Sequence, residues 1–269
     1  MATETKKELI TTYNGKKIIF YPTSHRYKYE DAKTYLVSPS SVTGILDKSQ
    51  QLLIWNDNLI KAYAEALETR EYQDWEVKKL FEEALQLRVT KLEEAKTVGD
   101  IVHDYAERTA WCKTMGEPLP EIPEEAHEND QAMQGIQAFL QFELDENVEY
   151  LDAERFIYSE SHGVPYVGRF DTIIKVRGMR ILTDYKTSKG VYTSQKYQLA
   201  GYDLALIEEY AARKEELPYD AIGVLHFDKN TGVPTLHILP EEERVLAQKA
   251  FKGLLVVKDI EKQLNVWSK

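Results

Sequence analysis

The stretch VGRFDTIIKVRGMRILTDYKTSK, Val167 to Lys189, decides how this chain is read, because it sets Asp171, Asp184 and Lys186 inside two runs of strand-like alternation. A two-residue turn at Arg177-Gly178 pairs Val176 with Met179, and the same register puts Asp171 opposite Asp184. Directly opposed residues of an antiparallel pair share a sheet face, with Cβ atoms about 4.5–5.5 Å apart. Lys186 shares that face, since strand side chains alternate with period two. Two opposed carboxylates repel each other, so the pattern calls for a compensator: a shared proton, a neighbouring cationic side chain or a bound divalent ion. Mg2+ suits a site of one or two carboxylates completed by water and phosphate. The competing reading is a solvated sheet face on which Lys186 pairs with one of the acids.

Downstream, SQKYQLAGYDLALIEEY reads as a helix with Gln198 and Tyr202 on one face, at i and i+4. A strand AIGVLHF, a hairpin partner VPTLHIL and a final helix from Glu241 complete the C-terminal half. Upstream of the opening stretch, AERFIYSE reads as another strand, so the order is βββαββα. The front half is helical: a block from Gln51 to about Met115, a loop GEPLPEIPEE that three prolines keep from being helix, and a helix from Ala126 to Leu144. In that block His103 lies among Val98, Ile101, Val102 and Tyr105, the ordinary setting of a structural histidine. Before it, PSSVTGIL offers Ser40 or Ser41 as a helix cap. The first segment, KKIIFYPTSHRYKYEDAKTYLVS, alternates like a small β-meander appended to the rest. The expected organisation is a meander over 1–38, a helical front over 39–147 and an α/β core over 148–269.

Composition narrows the chemistry. The 269 residues, 43% of them hydrophobic, can bury a sizeable core, and no apolar run approaches the ~20 residues that span a bilayer. The start, MATETKKELITTY, lacks the apolar centre of a signal peptide, so a cytoplasmic setting is expected. A single cysteine, Cys112, excludes an intrachain disulfide and an all-cysteine zinc or iron–sulfur site within one chain. A net charge of −11 argues against a broad basic nucleic-acid surface, although it permits a local basic groove. Arg169, Lys189 and Lys196 are the candidates for phosphate contact. Walker-type, dinucleotide-binding and serine-elbow glycine motifs do not occur, and the histidines have no zinc-protease spacing.

Four elements in order, GDIVHDY, GRFD, ILTDYKT and YQLAGY, resemble the RecB-like branch of the PD-(D/E)XK nucleases. The front segment PSSVTGIL, followed by a helix containing Trp55, is similar to phage exonucleases and the related mitochondrial genome-maintenance exonuclease. The resemblance spans roughly Pro39 to Tyr202. It implies an α/β fold with a mixed central sheet and a helical arch over the site. It also implies that His103, Asp171, Asp184 and the carbonyl of Tyr185 hold Mg2+ or Mn2+, as one or two ions, and that Lys186 is the catalytic lysine. Gln198 and Tyr202 would position the strand, with Ser40 and Ser41 also at the DNA. The chain lacks the cysteines of the iron–sulfur members of the branch. The implied activity is exonucleolytic hydrolysis of single-stranded DNA from a free end, in phage or genome-maintenance processing inside a bacterial host, alongside a recombination or replication protein. The alternatives are a structure-selective or restriction-like endonuclease on the same core, and a non-catalytic DNA-binding module.

Overall fold

Both arms of the Arg177-Gly178 turn form strands in the structure, a computed structural model that describes residues 7–46, 49–67, 76–188, 190–228 and 233–267. Strands β7 (Thr172–Val176) and β8 (Met179–Ser188) pair antiparallel with Val176 opposite Met179 and Thr172 opposite Thr183, the register expected from the sequence. Arg177 and Gly178 both have positive φ, 51° and 81°, which is the backbone of the tight turns whose twist matches that of the flanking strands.

The rest of the central sheet is built around β8. It pairs in parallel with β9 (Ala221–Asp228), β10 (Pro234–Ile238) pairs antiparallel with β9, and β4 (Glu149–Ala153) pairs antiparallel with β7. The order is therefore β10-β9-β8-β7-β4, a mixed five-stranded sheet. Helices cover both faces, which is why Ile181 to Tyr185 is continuously buried rather than alternating. On one face α6 (Thr193–Arg213) and α7 (Glu241–Trp267) bring Leu199, Leu206, Phe251 and Leu255 against Ile173, Leu182, Ile222 and Val224. On the other, α3 (Val77–Met115) and α5 (Asp130–Asp145) bring Val98, Val102, Ile136 and Phe139 against Tyr185, Leu225 and Phe227. The buried stripe of α5, Ala132, Ile136, Phe139 and Glu143, has helical spacing, and Asn129 caps the helix by accepting the N–H of Ala132. A short α4 (Glu124–His127) precedes it, so the single helix expected over 126–144 is broken at Glu128-Asn129.

The strands before β7 differ from expectation. The runs around AERFIYSE and VPYVGRFDTIIKV are each bent in two: β5 (Phe156–Ser159) and β6 (Tyr166–Arg169) form a separate antiparallel pair, whereas β4 and β7 belong to the main sheet. At the bend the chains still bond to each other, Glu154 N–H to Asp171 O at 2.9 Å and Phe170 N–H to Arg155 O at 3.2 Å. Glu154 absorbs the change of direction with φ 52°, a left-handed conformation uncommon outside glycine.

The N-terminal meander does form, as β1 (Glu8–Thr11), β2 (Lys17–Tyr21) and β3 (Arg26–Tyr29), but it is no appendage. Ile18, Phe20 and Tyr27 are buried against Tyr158 and Val167 of the β5–β6 pair. It is also tied to α6: Glu208 accepts from Tyr13 Oη at 2.7 Å, from the hydroxyls of Ser159 and Ser161, and from the Glu160 N–H at 3.1 Å. Burial alone would raise the Glu208 carboxyl, but these donors outweigh it and hold the pKa down to about 2, against an ordinary 4.5. A depressed carboxylate contributes stability that is complete above about pH 4.5 and fades as pH falls toward 2. Glu208→Gln is therefore expected to flatten stability against pH between about 5 and 2, removing about 1–2 kcal/mol at neutral pH after solvent screening. Urea midpoints measured across that range check it; parallel profiles for the two proteins would contradict it.

After the meander, Ser38 rather than Ser40 or Ser41 caps α1 (Pro39–Thr43). Pro39 takes the first helical position, where its missing N–H costs nothing, and Ser38 and Ser41 bond each other reciprocally. Among the described residues, none of helix α2 (Ser49–Leu67) or the front of α3 belongs to the clusters that cover the sheet, and Val98 is the first residue of α3 in them.

Candidate active site

Strand β8 outruns its neighbour. The ladder to β7 ends at Thr172 and Thr183, while β8 continues beside β9 to Ser188, so one edge of residues 184–188 has no strand partner. Side chains take over that edge. The N–H of Tyr185 donates to Asp171 Oδ2 at 2.7 Å, and the Tyr185 carbonyl accepts from Lys186 Nζ at 3.1 Å. Asp171 thus lies one step past the last ladder pair and uses its carboxylate where a backbone carbonyl would otherwise stand.

Lys186 Nζ also lies 2.5 Å from Asp184 Oδ2. Asp184 is fully buried, and among the described residues neither of its oxygens receives a hydrogen bond of good geometry. On the opposite side of Asp171, His103 Nε2 approaches its Oδ2 at 3.5 Å, and His103 Nδ1 meets Glu107 Oε1, one helical turn on, at 3.0 Å. Helix α3 comes this close where Gly99 has no side chain: a Cβ there would lie 2.7 Å from Thr187 Oγ1 of β8. His103 follows one turn after Gly99.

The charges sort themselves asymmetrically. Burial alone would raise Asp171, but the hydrogen bond and charge of His103, the charge of Lys186 and the Tyr185 N–H bring it below the ordinary carboxyl value. Asp184 has the opposite outcome: burial, only partly offset by Lys186 and reinforced by Asp171, lifts it to about 6. Burial lowers His103 and Lys186, yet the facing carboxylates overcome it and raise both. Two acids pushed apart beside a lysine held cationic is the electrostatic pattern of a site that handles protons or multivalent charge.

His103, Glu107, Asp171 and Lys186 line a pocket of about 250 Å³. Gln198 and Tyr202 line it, Gln198 Nε2 donating to Tyr202 Oη at 2.9 Å, and Ser40 stands at its margin. Gly168 of the GRFD run lets the walls meet, since a Cβ there would fall 2.9 Å from Pro39 Cδ and 3.2 Å from Tyr202 Cε1. Arg169 lines the pocket with its Nε 2.8 Å from Glu154 Oε2. Two sequence candidates are not brought there, and a third falls outside the described residues. Ser41 spends its hydroxyl on Ser38, Lys196 pairs with Glu243 of α7 at 2.6 Å, and Lys189 lies outside the described residues.

Glu107 and Glu154 are among the pocket residues that escape the sequence reading. Glu107 had a legible signal, the i+4 position from His103. Glu154 had none, because it reaches the pocket only through the bend between β4 and β5. Its carboxyl is raised to about 8 by burial and by Glu107, against the pull of Arg169.

The donor set suits a hard divalent cation. His103, Glu107 and Asp171 each offer a ligand atom, all within 4.8 Å of one another, and Asp184 adds a buried carboxylate whose neighbouring cation is Lys186. No helix among the described residues is long and apolar enough to cross a membrane.

No family model matches the chain, and no curated protein matches it. Solved structures that resemble it include a "putative exonuclease" from Eubacterium rectale, at 16% identity and TM-score 0.33 over 73% of both chains. SSO0001 resembles it at 14% identity and TM-score 0.26, over 74% of this chain and 85% of that one. Overlaps this low carry no functional argument, so the reading of the site rests on its own residues.

Proposed function

We propose that this chain is a divalent-metal-dependent deoxyribonuclease that hydrolyses phosphodiester bonds, acting on single-stranded DNA from free ends. The observation that carries the reading is the convergence of His103, Asp171 and Lys186, from three separate places in the sequence, on one pocket, with the buried Asp184 2.5 Å from Lys186. His103, Asp171, Asp184 and the Tyr185 carbonyl would hold Mg2+ or Mn2+, with Glu107 as a further oxygen donor. The bound ion would supply charge stabilisation to the phosphate and lower the pKa of water.

The protein's own groups do the rest. Asp171 and Asp184 concentrate negative charge where the cation belongs. Lys186 places an ammonium, kept protonated by both acids, against the phosphate on which negative charge builds up as water attacks in line. Gln198 and Tyr202 hold each other at 2.9 Å and present an amide and a phenol to the strand. The preference for single strands and ends rests on the helical arch that the resemblance implies, for which α2 and the front of α3 are the candidates.

Time-resolved digestion of linear single-stranded DNA, closed circular single strands and duplex DNA, in Mg2+, Mn2+ or chelator, tests this. Expected are short products from the ends of linear single strands, slow attack on circles and no products in chelator. Equal rates on circles would replace end-dependence with endonucleolytic cutting, and turnover in chelator would remove the metal from the reaction.

A further inference from the structure

The pocket's charges are segregated. Its carboxylates come from α3 and the bend between the sheets, whereas the N-terminal sheet and the start of α1 contribute His25, Tyr27, Ser38 and Ser40, none of them acidic. A divalent ion belongs on the first side and a phosphate ester on the second. His25 is the notable member of this wall. It follows the 3₁₀ turn Pro22–Ser24 in a left-handed conformation, φ 47°, with its N–H on Pro22 O at 3.3 Å. A non-glycine residue held there is uncommon, and such backbone clusters at binding sites.

That conformation presents an exposed imidazole at the pocket margin above a rigid base. The ring meets Phe20 edge-on, with centroids 6.1 Å apart, and Phe20 stacks on Tyr27 at 4.8 Å. Phe20 and Tyr27 are buried against the β5–β6 pair, and the Val167 N–H donates to Val37 O at 3.1 Å. A ring fixed in this way loses little freedom on meeting a ligand.

We infer that the N-terminal sheet is a substrate-binding wall, on which His25 contacts the phosphate of the nucleotide next to the bond being cut, opposite the side that takes the cation. This rests on the nuclease reading and adds a specificity-determining residue to it. Asp104 lines the same pocket from α3 and is the acidic neighbour this wall faces.

The test is calorimetric titration of the full-length protein with single-stranded dT8 in Ca2+, and with Mn2+ alone. His25→Gly, which keeps the positive φ without strain, is expected to weaken dT8 about tenfold and leave Mn2+ affinity unchanged. His25→Asn, which tolerates the same backbone and keeps a donor, is expected to recover most of that loss. A dT8 affinity within twofold of the parent for His25→Gly overturns the inference while leaving the nuclease reading intact. A parallel loss of Mn2+ affinity overturns it by assigning His25 to the cation side. A parent protein that neither binds dT8 nor cuts DNA overturns the nuclease reading, and this inference with it.

Discussion

Lys186→Ala is expected to lower DNA turnover by about 10²–10⁴-fold, the range found when a single charge-stabilising or proton-handling group is removed. The structure adds a second consequence that the sequence does not reveal. Lys186 is the counter-charge of Asp184, a carboxylate buried to zero exposure, and also caps the unpaired Tyr185 carbonyl. Removing the ammonium leaves two acceptors without it, so the variant should unfold more easily in chelator, by up to a few kcal/mol. The loss is limited because Asp184, already raised to about 6, can take up a proton. Mn2+ should stabilise the variant more than the parent, since a bound cation then supplies the missing charge without restoring turnover. Single-turnover rates combined with thermal unfolding in Mn2+ and in chelator measure both effects. Near-normal turnover would end the assignment of Lys186; an equal Mn2+ response in the two proteins would show that its ammonium is not what balances the acids.

Arg244→Ala should cost about 3–5 kcal/mol, the penalty for stranding one member of a buried ion pair. Asp203, inaccessible on α6, accepts Arg244 Nε at 2.9 Å and Nη2 at 2.7 Å, Gln248 Nε2 at 2.7 Å and Tyr219 Oη at 2.8 Å. This cluster, together with the close packing of Phe251 on Gly201, fixes where α7 lies along α6. For a chain of this size the cost corresponds to a fall in Tm on the order of 10 °C. Because Asp203 directly follows Tyr202, the Gln198–Tyr202 pair should loosen as well, raising KM for DNA more than it lowers kcat. The double variant Asp203→Leu with Arg244→Met, which removes both charges together, should regain much of the stability. Urea unfolding decides it: a change below about 1 kcal/mol in Arg244→Ala would mean that the pair contributes little.

How far the sequence discloses this site depends on the range over which each element is specified. The β7–β8 register is local, set by a two-residue turn, and Asp171, Asp184 and Lys186 follow from it by alternation. The spacing of Gln198 and Tyr202 is likewise local to one helix. The bend after Arg169 is not: VGRFDTIIKV keeps its alternation while the chain passes from one sheet to another, so a single long strand is the natural reading and Glu154 stays hidden. Side-chain commitments are no more visible. Nothing in QKYQ shows that Lys196 will turn to Glu243 of α7, nor does PSSV show that Ser41 will be consumed by Ser38. The packing of the N-terminal meander is hidden for a related reason: its apolar face needs a partner, and that partner, Tyr158 and Val167, lies more than a hundred residues away.

Asp171 sits where one sheet hands the chain over to the other, and its carboxylate is fastened across to β8 rather than along its own strand. Both hairpin tips, at Gly163 and Gly178, lie at the far ends of their ladders, so extra residues spliced in there would leave the acid at its station. An extra residue between Glu154 and Arg155 would instead shift the junction itself and unseat Asp171 and Glu154 together. Lineages that diversify this scaffold should therefore vary in the length of those tips and hold the junction constant.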